Sequence, residues 1–361
     1  MVDLDVSSTP GICPMTRFGT TIGEVLGFDG ESFDPERVKI LRMLVSDRIN
    51  HLLSIKELQE LHLAADPIKL FIKQEPHKLS KLVEGRLRLI SAVSMIDTMV
   101  DRMLFQELFA SVVSTPFRTP VAIGWTPLGS GAAYFKAHFS GKTFDTDKKH
   151  WDWTFPFWLL EDCYSVVVNC HYAPKWWHVL ARARFMALYS EAVFRFPDGS
   201  TLQQPYPGIQ KSGCYLTLLL NSLGQWMLHS LAEKTIGCKV KSISFGDDVT
   251  QESTEFDEQF ADYYRKLGFS LQTGQHDHPE FIGFHIYPKS AFLPSYRDKH
   301  VFLLSHLTED EENAVATLRS YQYLYWFDKS FLELLKNIAL ARNLPQAILS
   351  DVQIEKVVFG R

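Results

Sequence analysis

"SISFGDDVTQE", residues 242–252, sets Gly246, Asp247 and Asp248 between two short runs rich in β-formers. Such runs around a glycine read as a β-hairpin, with the glycine supplying the turn. Two adjacent carboxylates repel, so a chain needing only a turn has easier choices. A bare GDD is ordinarily a solvated turn, and it becomes half of a metal site only if other segments supply the rest.

At 361 residues the chain exceeds one typical core, and two or three subdomains are expected. Its 46% hydrophobic and 22% charged residues are those of an ordinary folded, soluble protein, and 13% aromatics imply large packed faces or stacking surfaces. Five cysteines without regular spacing argue for reduced thiols in a cytosolic setting. No CxxC or HExxH is present, which leaves no zinc signature. The opening "MVDLDVSSTPG" lacks the apolar core of a signal peptide. In "CYLTLLLNSLGQWMLHSLA", residues 214–232, Thr217, Asn221, Gln225 and His229 interrupt the apolar run, which favours a buried helix over a membrane span. The net charge of −5 carries no global nucleic-acid signal, so binding of a polyanion must rest on local basic patches.

Neither repeats nor low-complexity tracts appear. "DPERVKILRMLVSDRINHLL" has a helical pattern, and Ile96, Val100, Met103 and Leu104 recur at helical spacing. "PLGSGAAYF" lacks the third glycine of a dinucleotide fingerprint. A strand is expected around 142–147, helical segments over roughly 157–195, and a helix at 214–232. The GDD hairpin follows, then a helix at 254–267, a strand over "PEFIGFHIY" and a mostly helical tail from about 300. Helices and short antiparallel strands without parallel βαβ spacing make the class α+β.

A two-metal site needs carboxylates from at least two strands, because the cations sit about 4 Å apart. "FDTDKKHWDW" offers Asp147 at a strand end and Asp152 five residues on. Read otherwise it is a charged strand end, or Asp145-Thr146-Asp147 is a D-x-D clasp of the kind used with nucleotide sugars. "GIQKSGCYLTLLLNS" places Ser212 and Gly213 at a helix entry, with Thr217 and Asn221 four apart on one face. These two polar groups could equally be satisfied by neighbouring backbone. "KLFIKQEPHKLSKLVEGRLRLI" concentrates Lys69, Lys73, Lys78, Lys81, Arg86 and Arg88 against Glu75 and Glu84. Pro76 and Gly85 prevent one continuous helix, and Arg86 and Arg88 have the parity of one strand face suited to gripping phosphates.

The order of these signals resembles that of the RNA-dependent RNA polymerases of positive-strand RNA viruses: basic segment, D-x4-D, S-G-x3-T-x3-N, then GDD. "IKQEPHKLSKLVEGRLRLIS", "DKKHWDWTFP" and "GIQKSGCYLTLLLNS" are similar to the sobemovirus-like and polerovirus-like members. "SSTPGICP" resembles their template-contacting loop, "VAIGWTPLGSGA" a segment before the first aspartate, and "PEFIGFHIY" the strand supporting the primer end. The resemblance runs from residue 7 to about 305, and the last fifty or so residues match only as a small helical thumb.

The resemblance implies a right hand of fingers, palm and thumb, with a small antiparallel palm sheet backed by helices. Residues 1–92 would form the N-terminal fingers and fingertips with the basic entry segment. Residues 93–157 would be the palm helix and first catalytic strand, with a finger insertion near 115–140. Fingers would continue over 158–205, the palm over 206–287, and the thumb over 288–361. A chain of this length leaves room for little beyond such a core, so no fused protease or methyltransferase is expected.

The implied activity is RNA-directed RNA synthesis from ribonucleoside triphosphates with two Mg²⁺ ions, Mn²⁺ being able to substitute. Asp147 and Asp247 would bridge the metals on adjacent strands, with Asp248 assisting. Asp152 and Asn221, helped by Ser212 or Thr217, would recognise the ribose 2′-hydroxyl. Arg86 and Arg88 would bind triphosphate, with Lys73 and Lys81 along the nucleotide or template path and Thr9 and Gly11 in the template loop. Trp151 is expected in the core, with Tyr206 a second aromatic for stacking or packing, and Phe245 in hydrophobic support. The family's general-acid lysine is missing from "LGFSLQTGQHDHPEF", leaving His276, His278 or Lys266 as substitutes.

RNA template and product are the implied partners, together with a viral genome-linked protein primer and other replication proteins. The implied location is the host cytoplasm, in a replication complex held at membranes through partners. A reverse transcriptase would exclude the hydroxyl that Asp152 and Asn221 suit. A D-x-D glycosyltransferase leaves GDD unexplained, and a non-enzymatic RNA-binding protein has no need for three ordered aspartates.

Overall fold

The computed structural model describes residues 4–77, 79–116, 118–139, 141–169 and 172–360; Lys78 of the basic run lies outside the described residues. Its strands are β1 (Ile68–Ile72), β2 (Leu89–Ala92), β3 (Thr143–Lys148), β4 (Val193–Arg195), β5 (Thr201–Gln203), β6 (Ser242–Phe245), β7 (Asp248–Glu252), β8 (Leu271–His276), β9 (Glu280–Phe281), β10 (Phe284–Ile286) and β11 (Phe292–Pro294). Long helices fill most of the rest, so the chain is mixed α and β with small sheets. No helix among the described residues is long and apolar enough to cross a membrane.

The chain divides into two compact units, Met1–Val112 with His150–Gly224, and Val113–Lys149 with Gln225–Arg361. In the first, β2-β1-β4-β5 form one sheet, antiparallel except for the parallel β1–β4 pair. Helix Pro35–Ser54 starts where Asp34 accepts from the amides of Glu36 and Arg37 and Pro35 has no N–H that would need an acceptor. Buried charges tie this unit together. Arg48 joins Asp97 at 2.7 Å and Asp66 at 2.9 Å, and Arg184 makes a two-pronged contact with Asp101 at 2.8 and 2.9 Å. Met103, expected on the buried face of helix Met95–Val113, is instead 68% exposed, while Ile96, Val100 and Leu104 are buried.

In the second unit, β6-β7-β3-β8 form an antiparallel sheet and β11-β10-β9 a smaller one. "PEFIGFHIY" is thus not one strand. Ile282 and Gly283 take positive φ and break it into β9 and β10. Trp125, Phe135, Phe139, Ile243, Phe281 and Trp326 belong to one apolar core, against which Phe245 packs. Helices Glu311–Leu324 and Lys329–Ala341 bury Leu318, Phe331 and Leu335 in another.

Candidate active site

The β6–β7 hairpin closes through Gly246 and Asp247, because Phe245 pairs with Asp248. Gly246 has φ +65° at the first turn position, a conformation open to glycine at little cost. β7 runs antiparallel to β3 with Asp145 opposite Thr250. The same register carried two residues on sets Asp147 opposite Asp248. Asp247 therefore occupies the turn rather than a strand beside β3, and Asp248 opens the strand that pairs with β3.

Strand alternation sends Asp145 and Asp147 to one face and Thr146 and Lys148 to the other. Lys148 is buried, with its ammonium donating to Gln225 Oε1 at 2.8 Å and lying 4.2 Å above the Tyr264 ring. Burial pulls it down to about 7.

On the acidic face Asp248 keeps an open edge, yet the surrounding protein strips away much of its water. That desolvation, followed by the charges of Asp247, Asp147, Asp145 and Glu280, pushes its carboxyl up to about 7. After burial, the carboxylates Asp248, Glu280, Asp147 and Asp247 also raise the Tyr296 hydroxyl, which places this tyrosine at the rim of the same field. Among the described residues no three acid, histidine or cysteine side chains already form a closed metal cage. What the sheet end offers is crowded carboxylate oxygen whose mutual repulsion a hard divalent cation would relieve, and such donors suit Mg²⁺.

Of the candidate general acids, His276 lies at the far end of the same acidic face. His276 sits opposite Thr143, whereas Asp147 sits opposite Gln272, about 13 Å further along the strand. His276 Nε2 contacts Asp145, and its Nδ1 lies 3.5 Å from Glu280, which also approaches His285 at 3.6 Å. The His278 ring lies beside Tyr287, and Lys266 is exposed at the end of helix Asp257–Lys266.

In the first unit Asn221 Nδ2 donates to Asp152 Oδ1 at 2.9 Å, and Asn221 Oδ1 is buried with no hydrogen-bond partner among the described residues. Thr217 spends its hydroxyl proton on the carbonyls of Lys211 and Cys214 rather than on the face shared with Asn221. Ser212 and Ser91 exchange contacts: each hydroxyl accepts from the other residue's amide at 3.0 Å. A Cβ on Gly213 would fall 2.7 Å from Ser91 O, so only glycine lets this loop approach β2. These ties also explain why the helix begins at Thr217, three residues later than expected.

The basic segment differs from its expected form. Arg86 and Arg88 precede β2 in irregular backbone and do not share a strand face, because Gly85, with φ +65°, turns the chain before pairing begins at Leu89. Arg86 contacts Glu84, while Glu75 takes Lys73 at 3.0 Å and Arg88 at 3.8 Å. Lys81 is exposed on helix Leu79–Val83. Thr9 Oγ1 accepts from the Gly11 amide, and Pro10 O accepts from Met95 N at 2.8 Å, which seats this loop on the helix Met95–Val113. Trp151 is buried and Tyr206 exposed.

Sequence reasoning missed Lys148, Gln225, Tyr296 and the Arg184–Asp101 pair. One signal was present: Thr217, Asn221, Gln225 and His229 recur every four residues, a polar stripe on an apolar helix.

Residues 46–319 match the family model described as viral RNA-dependent RNA polymerase. The chain is 31% identical over 298 residues to "Protein P1-P2" of potato leafroll virus, covering 76% of the chain and 27% of that protein. It is 31% identical over 314 residues to "Replicase polyprotein P2AB" of southern cowpea mosaic virus, covering 81% and 31%. To "Protein P2-P3" of poinsettia latent virus it is 29% identical over 352 residues, covering 88% and 30%. The chain thus spans less than a third of the length of these relatives.

Proposed function

The chain belongs to the viral RNA-dependent RNA polymerase family, and on that footing we propose that it copies RNA by two-metal nucleotidyl transfer. The observation carrying this reading is the β3–β7 register with Asp145 opposite Thr250, which carried two residues on brings Asp147 to Asp248, beside the turn that holds Asp247. In the proposed reaction an RNA 3′-oxygen attacks the α-phosphorus of a ribonucleoside triphosphate. The new O–P bond forms as the bond to the bridging oxygen breaks, and pyrophosphate leaves with that electron pair.

Two Mg²⁺ ions, or Mn²⁺ in their place, would lower the pKa of the hydroxyl and neutralise charge on the leaving group. Asp147 and Asp247 would hold them, with Asp248 assisting. Asn221 Oδ1 takes a hydrogen bond from the ribose 2′-hydroxyl, since Asp152 already occupies the amide's donor side. A 2′-deoxynucleotide leaves the oxygen unpaired, which favours ribonucleotides and disfavours a reverse-transcriptase reading. Arg86 and Arg88 would exchange Glu84 and Glu75 for triphosphate oxygens, with Lys73 and Lys81 beside them.

The palm would comprise 93–157 and 206–287 around the sheet β6-β7-β3-β8, with fingers over 1–92 and 158–205 and the thumb over 288–361. Template, product, a genome-linked protein primer and a cytoplasmic replication complex belong to the same proposal. Extension of primed and unprimed RNA in Mg²⁺ or Mn²⁺ tests it. Template-dependent product in either ion is the expected outcome, and no synthesis in both would refute it.

A further inference from the structure

We propose that Gln225 is a positioning residue that clamps the Asp247–Asp248 turn to the strand bearing Asp147; its bearing on catalysis rests on the polymerase reading above. Gln225 Nε2 donates to the Asp247 carbonyl at 3.0 Å, and Gln225 Oε1 accepts from Lys148 Nζ at 2.8 Å. Gln225 is 1% exposed and Lys148 is 3% exposed, so the bond between them is shielded from water, while the bond to the Asp247 carbonyl is part-buried. One amide thus spans from the residue after Asp147 to the backbone of Asp247.

The turn has a need that this amide meets. In a two-residue hairpin the carbonyl of the second turn residue faces away from the ladder, and here Gln225 Nε2 is its donor. With Lys148 Nζ as the donor to Oε1, Nε2 is the end left for the Asp247 carbonyl. Lys148 is itself held by Thr146 at 3.3 Å and by the Tyr264 ring. A glutamate at 225 would keep the contact with Lys148 but could not donate to Asp247. A methionine would keep the volume and neither bond. Aspartates that must share cations tolerate little change in spacing, so a released turn weakens metal holding without touching a metal ligand.

The test uses the full chain and the variants Gln225→Glu and Gln225→Met, each followed by peptide-resolved amide exchange over residues 245–249. Mn²⁺ binding by electron paramagnetic resonance, thermal melting and single-turnover extension accompany it. In Gln225→Glu the turn amides should exchange about tenfold faster, as expected for one lost buried hydrogen bond. Mn²⁺ affinity should fall by a similar factor. The extension rate at saturating rNTP should drop while rNTP affinity holds, a split that general loosening would not produce. Gln225→Met should show the same fast turn even if Gln225→Glu melts early. Unchanged turn exchange and Mn²⁺ affinity in both variants would overturn the clamp. If the wild-type chain synthesises no RNA, the polymerase reading fails separately, and turn exchange still decides the clamp.

Discussion

Asn221 donates to Asp152 at 2.9 Å, and its own buried Oδ1 has no hydrogen-bond partner among the described residues. An amide held in one orientation by a carboxylate is a prepared acceptor for a hydroxyl. Asp152→Ala lets the amide rotate and present either end. Selectivity for rNTP over dNTP, read as the ratio of kcat/KM values, should fall by about 1–3 kcal/mol, or roughly fivefold to 150-fold. Undiminished selectivity would remove this pair from ribose recognition.

The pH dependence of stability should report the crowding around Asp248. Its carboxyl is raised from 3.8 to about 7 by desolvation and by Asp247, Asp147, Asp145 and Glu280. Below pH 3.8 the group is neutral in both folded and unfolded chains, so it costs nothing. Between 3.8 and about 7 the folded state binds more protons than the unfolded one, and stability falls as pH rises. In chelator, Asp248→Asn should therefore raise the melting temperature above pH 7 and lose that advantage towards pH 4. A gain independent of pH would contradict this origin.

Arg184 and Asp101 are both buried, joined at 2.8 and 2.9 Å. Arg184→Met strands the carboxylate and should cost about 3–5 kcal/mol in a denaturant titration. The double variant Arg184→Met with Asp101→Leu should recover most of that loss, because apolar contact replaces both charges. If the single variant matched wild type, this pair would have no structural role.

Much of the second unit's acidic end was legible in the sequence, for a local reason. Gly246 and the β-formers around it specify a hairpin within a few residues, and strand alternation then fixes which side chains share a face. The register between β3 and β7 is not local, so Asp247 was expected beside β3 when it lies in the turn. Arg86 and Arg88 misled because alternate spacing mimics a strand wherever a turn is not anticipated. Gln225 and Lys148 lie 77 residues apart, and Arg184 and Asp101 lie 83 apart. Nothing in either segment names its partner, and Gln225 in particular read only as a polar break in an apolar run.

Incorporation of labelled rNTPs on a defined RNA template in Mg²⁺, comparing wild type with Asp247→Ala, tests the central claim most directly. The expected result is template-complementary product from the wild type, with synthesis cut about a thousandfold in the variant. That loss corresponds to the several kcal/mol a correctly held cation supplies. Undiminished synthesis by Asp247→Ala would contradict the assignment of Asp247 as a metal ligand.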